Sequence, residues 1–196
     1  MSSTAQDLVR KHRLTVADFR RMGETGILRE DARVELIEGE IIDMSPIGST
    51  HAGTINRLIQ LFHVAFGQSA VLSIQNPLNL GMHSEPQPDL AVLRPREDFY
   101  TSSHPRSEDV LLLVEVCESS LRYDRETKLP LYARHGIPEV WLVDVAQQQL
   151  SLFRAPEGEV YRDVTSPAAL GVITPEHLPS ANVNLSRLFQ PTFSQR

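Results

Sequence analysis

Residues 110–144, VLLLVEVCESSLRYDRETKLPLYARHGIPEVWLVD, decide the fold. Val110 to Val116 is the most apolar run in the chain, and its lack of a polar face predicts a central strand covered on both sides. A helix is predicted within Tyr123 to Arg134, stopped by Gly136 and Pro138. Pro130 removes a backbone donor inside that helix and should kink or delay it. Glu139-Val140-Trp141-Leu142-Val143-Asp144 then reads as a second strand. Strand, helix and strand in this order predict a right-handed βαβ unit.

Working outward, Gln87 to Leu93 reads as a strand entered through Pro88, preceded by strands at Ala70 to Gln75 and Leu78 to Leu80. The charged, turn-rich segment 94–108 predicts an exposed loop. A helix from about Thr50 to Phe66 buries Ile55, Leu58, Ile59, Phe62 and Phe66 on one face, and Gly67 closes it. Arg33 to Ile37 and Glu40 to Met44 form a β-hairpin about Glu38-Gly39, and Gln149 to Arg154 with Glu159 to Val164 form another about Glu157-Gly158. Thr15 and Asp18 resemble a capping box opening a short helix over Val16 to Met22. Leu185 to Phe189 reads as a short helix or turn. Residues 1–14 read as a flexible arm and 15–196 as one domain of α/β class, a mixed central sheet flanked by helices, with β-hairpins.

The 196 residues are 41% hydrophobic, which suits one full core. No apolar run approaches the roughly 20 residues that span a bilayer, and residues 1–13 lack the apolar middle of a secretory signal, so a cytoplasmic location is expected. Cys117 is the only cysteine, which rules out an intramolecular disulfide or a cysteine-built zinc site. A net charge of −6 argues against a broad electrostatic nucleic-acid binder, but an enzyme holding a divalent cation in a carboxylate cleft tolerates it. Only two lysines, Lys11 and Lys128, occur among 19 basic residues. Arginine cannot replace a compact ammonium, so the choice of lysine at 128 points to a specific use.

Chemistry concentrates at three positions. Asp89 starts a strand after Pro88, and Glu115 ends a strand that is otherwise Leu and Val. Burying such a carboxylate costs several kcal/mol unless a cation, a metal or backbone donors compensate. Two acids converging from neighbouring strands suit Mg²⁺, which takes oxygen ligands and keeps waters. Lys128, one helix onward, can fold back over the same spot. Singly, Lys128 reads as a solvated helix lysine, and Glu35 reads equally as an exposed strand residue or a site acid. His51 reads as a helix cap or packing residue, Asp124 as a helix-start residue, and Cys117, Tyr132 and Trp141 as core.

The order Pro-Asp, then Glu, then a helical lysine resembles the PD-(D/E)xK nuclease superfamily. The segments ELIEGE (35–40), Ser45-Pro46 with His51, QPDLAV (87–92), LVEV (113–116), Arg122-Tyr123-Asp124 through Lys128, and LYA (131–133) to GIPEVWLVD (136–144) resemble the Uma2 family of restriction endonucleases over roughly residues 15–190. The resemblance implies a restriction-endonuclease-like fold and an endonuclease acting on DNA with Mg²⁺ or Mn²⁺. It implies that Asp89, Glu115 and the carbonyl of Val116 hold the metal, that Lys128 orients water or stabilises charge on phosphorus, and that Glu35 is an auxiliary acid near the site or a support for Lys128. In the broader superfamily the lysine would stand at position 117, where this chain has Cys117, so the amine has to come from Lys128. A catalytically inactive nuclease fold used for binding or regulation is the second reading, and hydrolysis of RNA or a smaller phosphoester is the third. Cutting both strands of a duplex usually takes two sites, so a homodimer is expected.

Overall fold

The computed structural model describes residues 11–189; most of the expected arm, residues 1–10, lies outside them. The expected capping box forms: Thr15 Oγ1 accepts from the Asp18 amide at 3.1 Å, and the Asp18 carboxylate accepts from the Thr15 amide at 2.9 Å, opening α1 (Val16–Glu24). β1 (Val34–Ile37) and β2 (Glu40–Asp43) form the predicted hairpin as a separate two-stranded sheet. Glu38 and Gly39 both take positive φ (52° and 83°), the conformation a tight two-residue turn demands.

The central sheet holds six strands in the order β3 (Val71–Ile74), β4 (Leu90–Leu93), β5 (Val110–Cys117), β6 (Glu139–Asp144), β7 (Gln149–Glu157), β8 (Val160–Thr165). β5 and β6 are parallel, as the strand–helix–strand reading requires, and the other neighbours are antiparallel. Every residue of β5 is buried because both sheet faces are covered. On one face, α2 (Ser49–Phe66) packs Ile55, Leu58, Phe62 and Phe66 against Leu112, Val114, Val116 and Trp141. Phe62 meets Trp141 edge-on, with ring centroids 5.7 Å apart. On the other face, Leu113 and Cys117 meet Leu129, Leu131 and Tyr132. Strand alternation thus turns Glu115 toward the second face.

The expected helix over 123–134 forms in three parts: α3 (Leu121–Tyr123), a π-helical turn (Asp124–Lys128) and α4 (Leu129–Arg134). Pro130 explains the widening, because its ring crowds the carbonyl four residues back and it offers no N–H. The turn closes instead through the Leu129 amide to the Asp124 carbonyl. Leu78 to Leu80 is no strand: besides the isolated Asn79–Arg106 bridge, the Leu78 and Leu80 amides donate to the Pro86 and Ser84 carbonyls at 2.9 Å, and both leucines are buried. Alternating leucines there satisfy a loop packed on the core rather than a ladder. β9 (Val172–Ile173) and β10 (Val183–Asn184) make a small antiparallel pair that the sequence did not announce, and Ser186 to Phe189 is a turn. Among the described residues no helix is long and apolar enough to cross a membrane.

A fully buried carboxylate, Glu139, ties the start of β6 together. Its Oε1 accepts from Trp141 Nε1 at 2.7 Å and from Arg154 Nε and Nη2 at 2.9 and 2.7 Å, while Oε2 accepts from the Glu176 amide at 2.8 Å. Removing one partner of a buried pair strands the other charge. Arg154→Met is therefore expected to cost about 3–5 kcal/mol, read as a lower urea midpoint with an unchanged slope.

Candidate active site

The site lies where β4 begins and β5 ends. Extending the Leu90–Val114 register by two residues puts Pro88 opposite Val116. Proline has no N–H to offer the Val116 carbonyl, so the ladder stops there, and the Val116 amide donates to the Asp89 side chain rather than to backbone. Asp89 Oδ2 accepts from the Val116 amide at 2.9 Å and lies 3.1 Å from His51 Nε2; Oδ1 accepts from Gln75 Nε2 at 3.1 Å. The Val116 carbonyl lies on the same edge of the strand and favours the charged form of His51. No hydrogen bond closes at His51 Nδ1, which is buried and unpartnered.

Glu115 stands beside Asp89, whose amide approaches its Oε2 at 3.4 Å. Glu115 Oε1 accepts from Tyr132 Oη at 2.5 Å and from Lys128 Nζ at 3.3 Å. The same ammonium lies 3.3 Å from Glu35 Oε2. Glu35 is brought in by the hairpin, which docks along residues 85–87: the Glu85 amide reaches the Leu36 carbonyl at 2.7 Å, and the Gln87 amide reaches Glu35 Oε2 at 3.1 Å. Tyr123 Oη donates to Glu35 Oε1 at 3.2 Å. Asp124 completes the group, accepting from Ser120 Oγ at 2.5 Å and from Cys117 Sγ at 3.1 Å.

Sequence expectation and structure agree that Asp89, Glu115, Lys128 and Glu35 meet. Lys128, read singly as solvated, is 5% exposed, and Glu35 is 1% exposed. The structure corrects four readings: His51 pairs with Asp89 rather than capping α2, the Tyr132 hydroxyl donates to Glu115, Asp124 is buried in the site, and the Cys117 thiol donates to Asp124. For Tyr132 the signal was its spacing of four from Lys128, which puts both on one helical face.

Four buried carboxylates thus surround one ammonium and one imidazole, and their protonation follows from that imbalance. Burial raises Glu115, as do the charges of Asp124 and Asp89; Lys128 and the Tyr132 hydroxyl oppose this, and the carboxyl settles at about 8. Burial also raises Asp124 against the pull of Lys128. Burial works against a charged Lys128, but Glu115, Glu35 and Asp124 outweigh it and hold the ammonium well above its ordinary value. For Asp89, burial is outweighed by His51, the Val116 amide and Gln75, and its carboxyl is lowered. The hydrogen bond to Asp89 outweighs desolvation at His51, which is raised.

Raised groups bind a proton in the folded chain that the unfolded chain has lost, so their contribution to stability declines as pH rises through that window. Glu115 acts between 4.5 and about 8, and Asp124 and His51 act in the same direction. The metal-free protein is expected to lose thermal stability from pH 5 toward pH 8, by up to about 1.4 kcal/mol per pH unit from one such group. Glu115→Gln should flatten the curve, and an equally steep curve in that variant would refute the assignment.

A cleft of about 320 Å³ opens over these groups, walled by Arg33, Asp43, Gly48 and Glu118. Among the described residues no three His, Cys, Asp or Glu side chains form a metal cluster. The oxygens that could hold an ion are the carboxylates of Asp89 and Glu115 and the carbonyl of Val116. That fits Mg²⁺ or Mn²⁺, because Mg²⁺ often binds through one or two carboxylates and keeps its waters.

No curated protein matches the chain. Among solved structures, one from Anabaena variabilis, described as a "putative nuclease belonging to DUF820", superposes with a TM-score of 0.66 at 19% identity, covering 90% of this chain and 97% of that one. The likeness shows a shared fold. Residues 16–186 match the family described as "Uma2: Putative restriction endonuclease", and the chain, with Asp89, Glu115 and Lys128 gathered at one end of its sheet, belongs to the Uma2 family.

Proposed function

We propose that this chain is a metal-dependent endonuclease that hydrolyses DNA phosphodiester bonds. One observation carries the proposal: Lys128 stands 3.3 Å from both Glu35 and Glu115, with Asp89 adjacent, on the floor of a cleft. Asp89, Glu115 and the Val116 carbonyl would hold Mg²⁺ or Mn²⁺. When bound, the ion supplies a Lewis acid for a phosphoryl oxygen and lowers the pKa of water. The remaining work falls to the chain's own groups. Lys128, kept protonated by its carboxylates, faces the charge that builds on phosphorus. Glu35 and Tyr123 hold the ammonium's position, Tyr132 aims Glu115, and His51 with Gln75 aims Asp89. DNA as substrate, action in the cytoplasm and a homodimer that cuts both strands are parts of the same proposal.

The purified protein is assayed on supercoiled and single-stranded DNA with Mg²⁺ or Mn²⁺. Cleavage that disappears in Asp89→Asn supports the proposal, and no cleavage with either ion refutes it. One observation favours the inactive reading: each carboxylate already has protein partners. Calorimetry separates the two, because an inactive site takes up no Mn²⁺ that Asp89→Asn removes.

A further inference from the structure

Beside the catalytic cleft lies a second cavity with which it shares two lining residues, Ile42 and Tyr123, so the two adjoin. Its lining includes Lys11, His12 and Arg13. A basic tripeptide is unusual in this acidic chain, and its charge balance is uneven. Lys11 is taken up by Glu40 at 3.0 Å. Glu38, the other acid lining the cavity, is taken up by Arg134 at 2.7 Å. Among the described residues His12 and Arg13 have no ion-pair partner, and both are exposed.

The segment is also held in place. The Leu14 amide donates to the Gly39 carbonyl at 3.0 Å, the Leu14 carbonyl lies 2.9 Å from His83 Nδ1, and the Gly39 amide donates to the His83 carbonyl at 2.7 Å. Arg13 packs so closely on the hairpin turn that a Cβ at Gly39 would stand 2.6 Å from Arg13 Cβ. The hairpin that brings Glu35 to the scissile site therefore also sets the position of Arg13. One hairpin carries an acid of the reaction centre and packs against Arg13, whose guanidinium has no ion-pair partner among the described residues and which lines the adjoining cavity.

We propose that this second cavity is a subsite for a backbone phosphate of the nucleic-acid strand, flanking the scissile one, with Arg13 as its principal ligand and His12 as its neighbour. The proposal rests on the nuclease reading for its substrate class. A guanidinium offers the planar, bidentate donor pair that phosphate oxygens match, and a flanking contact gives an acidic enzyme grip without a broad basic surface. Arg13 is a positioning residue: it sets where the strand lies and touches no reacting atom.

The test is binding of a fluorescent single-stranded oligonucleotide in Ca²⁺ over a series of salt concentrations, with cleavage kinetics in Mg²⁺ alongside. Arg13→Ala is expected to weaken binding about fivefold or more at low salt and to reduce the slope of log affinity against log salt by about 0.7, the share of one single-strand phosphate. KM for the oligonucleotide rises with kcat unchanged, and Arg13→Lys recovers part of the affinity. Arg162→Ala, which removes a charge from edge strand β8, changes none of these. An affinity and slope unaffected by Arg13→Ala and by the His12→Ala/Arg13→Ala pair overturn the subsite, as does an equal effect of Arg162→Ala. If the protein binds the oligonucleotide through Arg13 yet never cleaves, the nuclease reading fails and the subsite stands. If it binds no oligonucleotide, both fail.

Discussion

Lys128→Met is expected to lower DNA cleavage by about 10²–10³-fold and unfolding free energy by about 3–5 kcal/mol. Both losses come from one atom. The ammonium is the counter-charge to Glu115 and Glu35, each 3.3 Å away, and Asp124 is held by the same field. Without it those carboxyls either take up protons or repel one another. Lys128→Arg should not rescue activity, since a planar guanidinium cannot occupy the space of a compact ammonium between two buried carboxylates. Turnover of supercoiled plasmid below the variant's melting temperature separates the catalytic loss from unfolding. A folded Lys128→Met protein that cleaves at the original rate would remove the ammonium from the reaction.

Glu115→Gln should share the loss of cleavage but not the loss of stability. Cleavage falls by about a thousandfold or more, because several kcal/mol of metal-borne stabilisation is lost, and calorimetry detects no Mn²⁺ uptake. Metal-free stability at pH 6 does not fall, because Gln reproduces the neutral carboxyl that burial favours below about 8. Function and stability therefore oppose each other at this position, as expected where an ionisable group is buried for use. A variant that loses stability as Lys128→Met does, while keeping Mn²⁺ uptake, would mean that Glu115 is a structural ion-pair partner and no ligand.

Legibility in the sequence varied with the range of the forces involved. β5 was readable because eight consecutive buried residues leave a continuous apolar record. Glu115 stood out because it interrupts that record. Asp89 was marked by Pro88, and the structure explains why: the proline ends the ladder at the point where a side chain must take over from backbone. The βαβ unit, both hairpins and α2 followed from period and turn chemistry. Leu78 to Leu80 misled, because alternation records burial and says nothing about a hydrogen-bonding partner.

The sequence alone therefore determined the layered α/β class and the strand that carries Glu115, and it singled out Asp89, Glu115 and Lys128, which the fold brings together. Tertiary structure decided their company. His51 comes from the start of α2, Glu35 from a hairpin docked on residues 85–87, and Tyr132 and Asp124 from helical turns on either side of Lys128. None of these partners is set by local spacing to the residue it serves, apart from Asp124 and Tyr132, each four places from Lys128. The physical reason is that local periodicity specifies which face of an element is apolar, whereas a buried charge is stabilised by groups that only packing brings within 3 Å or so. Lys128 shows both: the sequence marks it as an unusual lysine, and the π-turn before Pro130 with the docked hairpin makes it the counter-charge of the site.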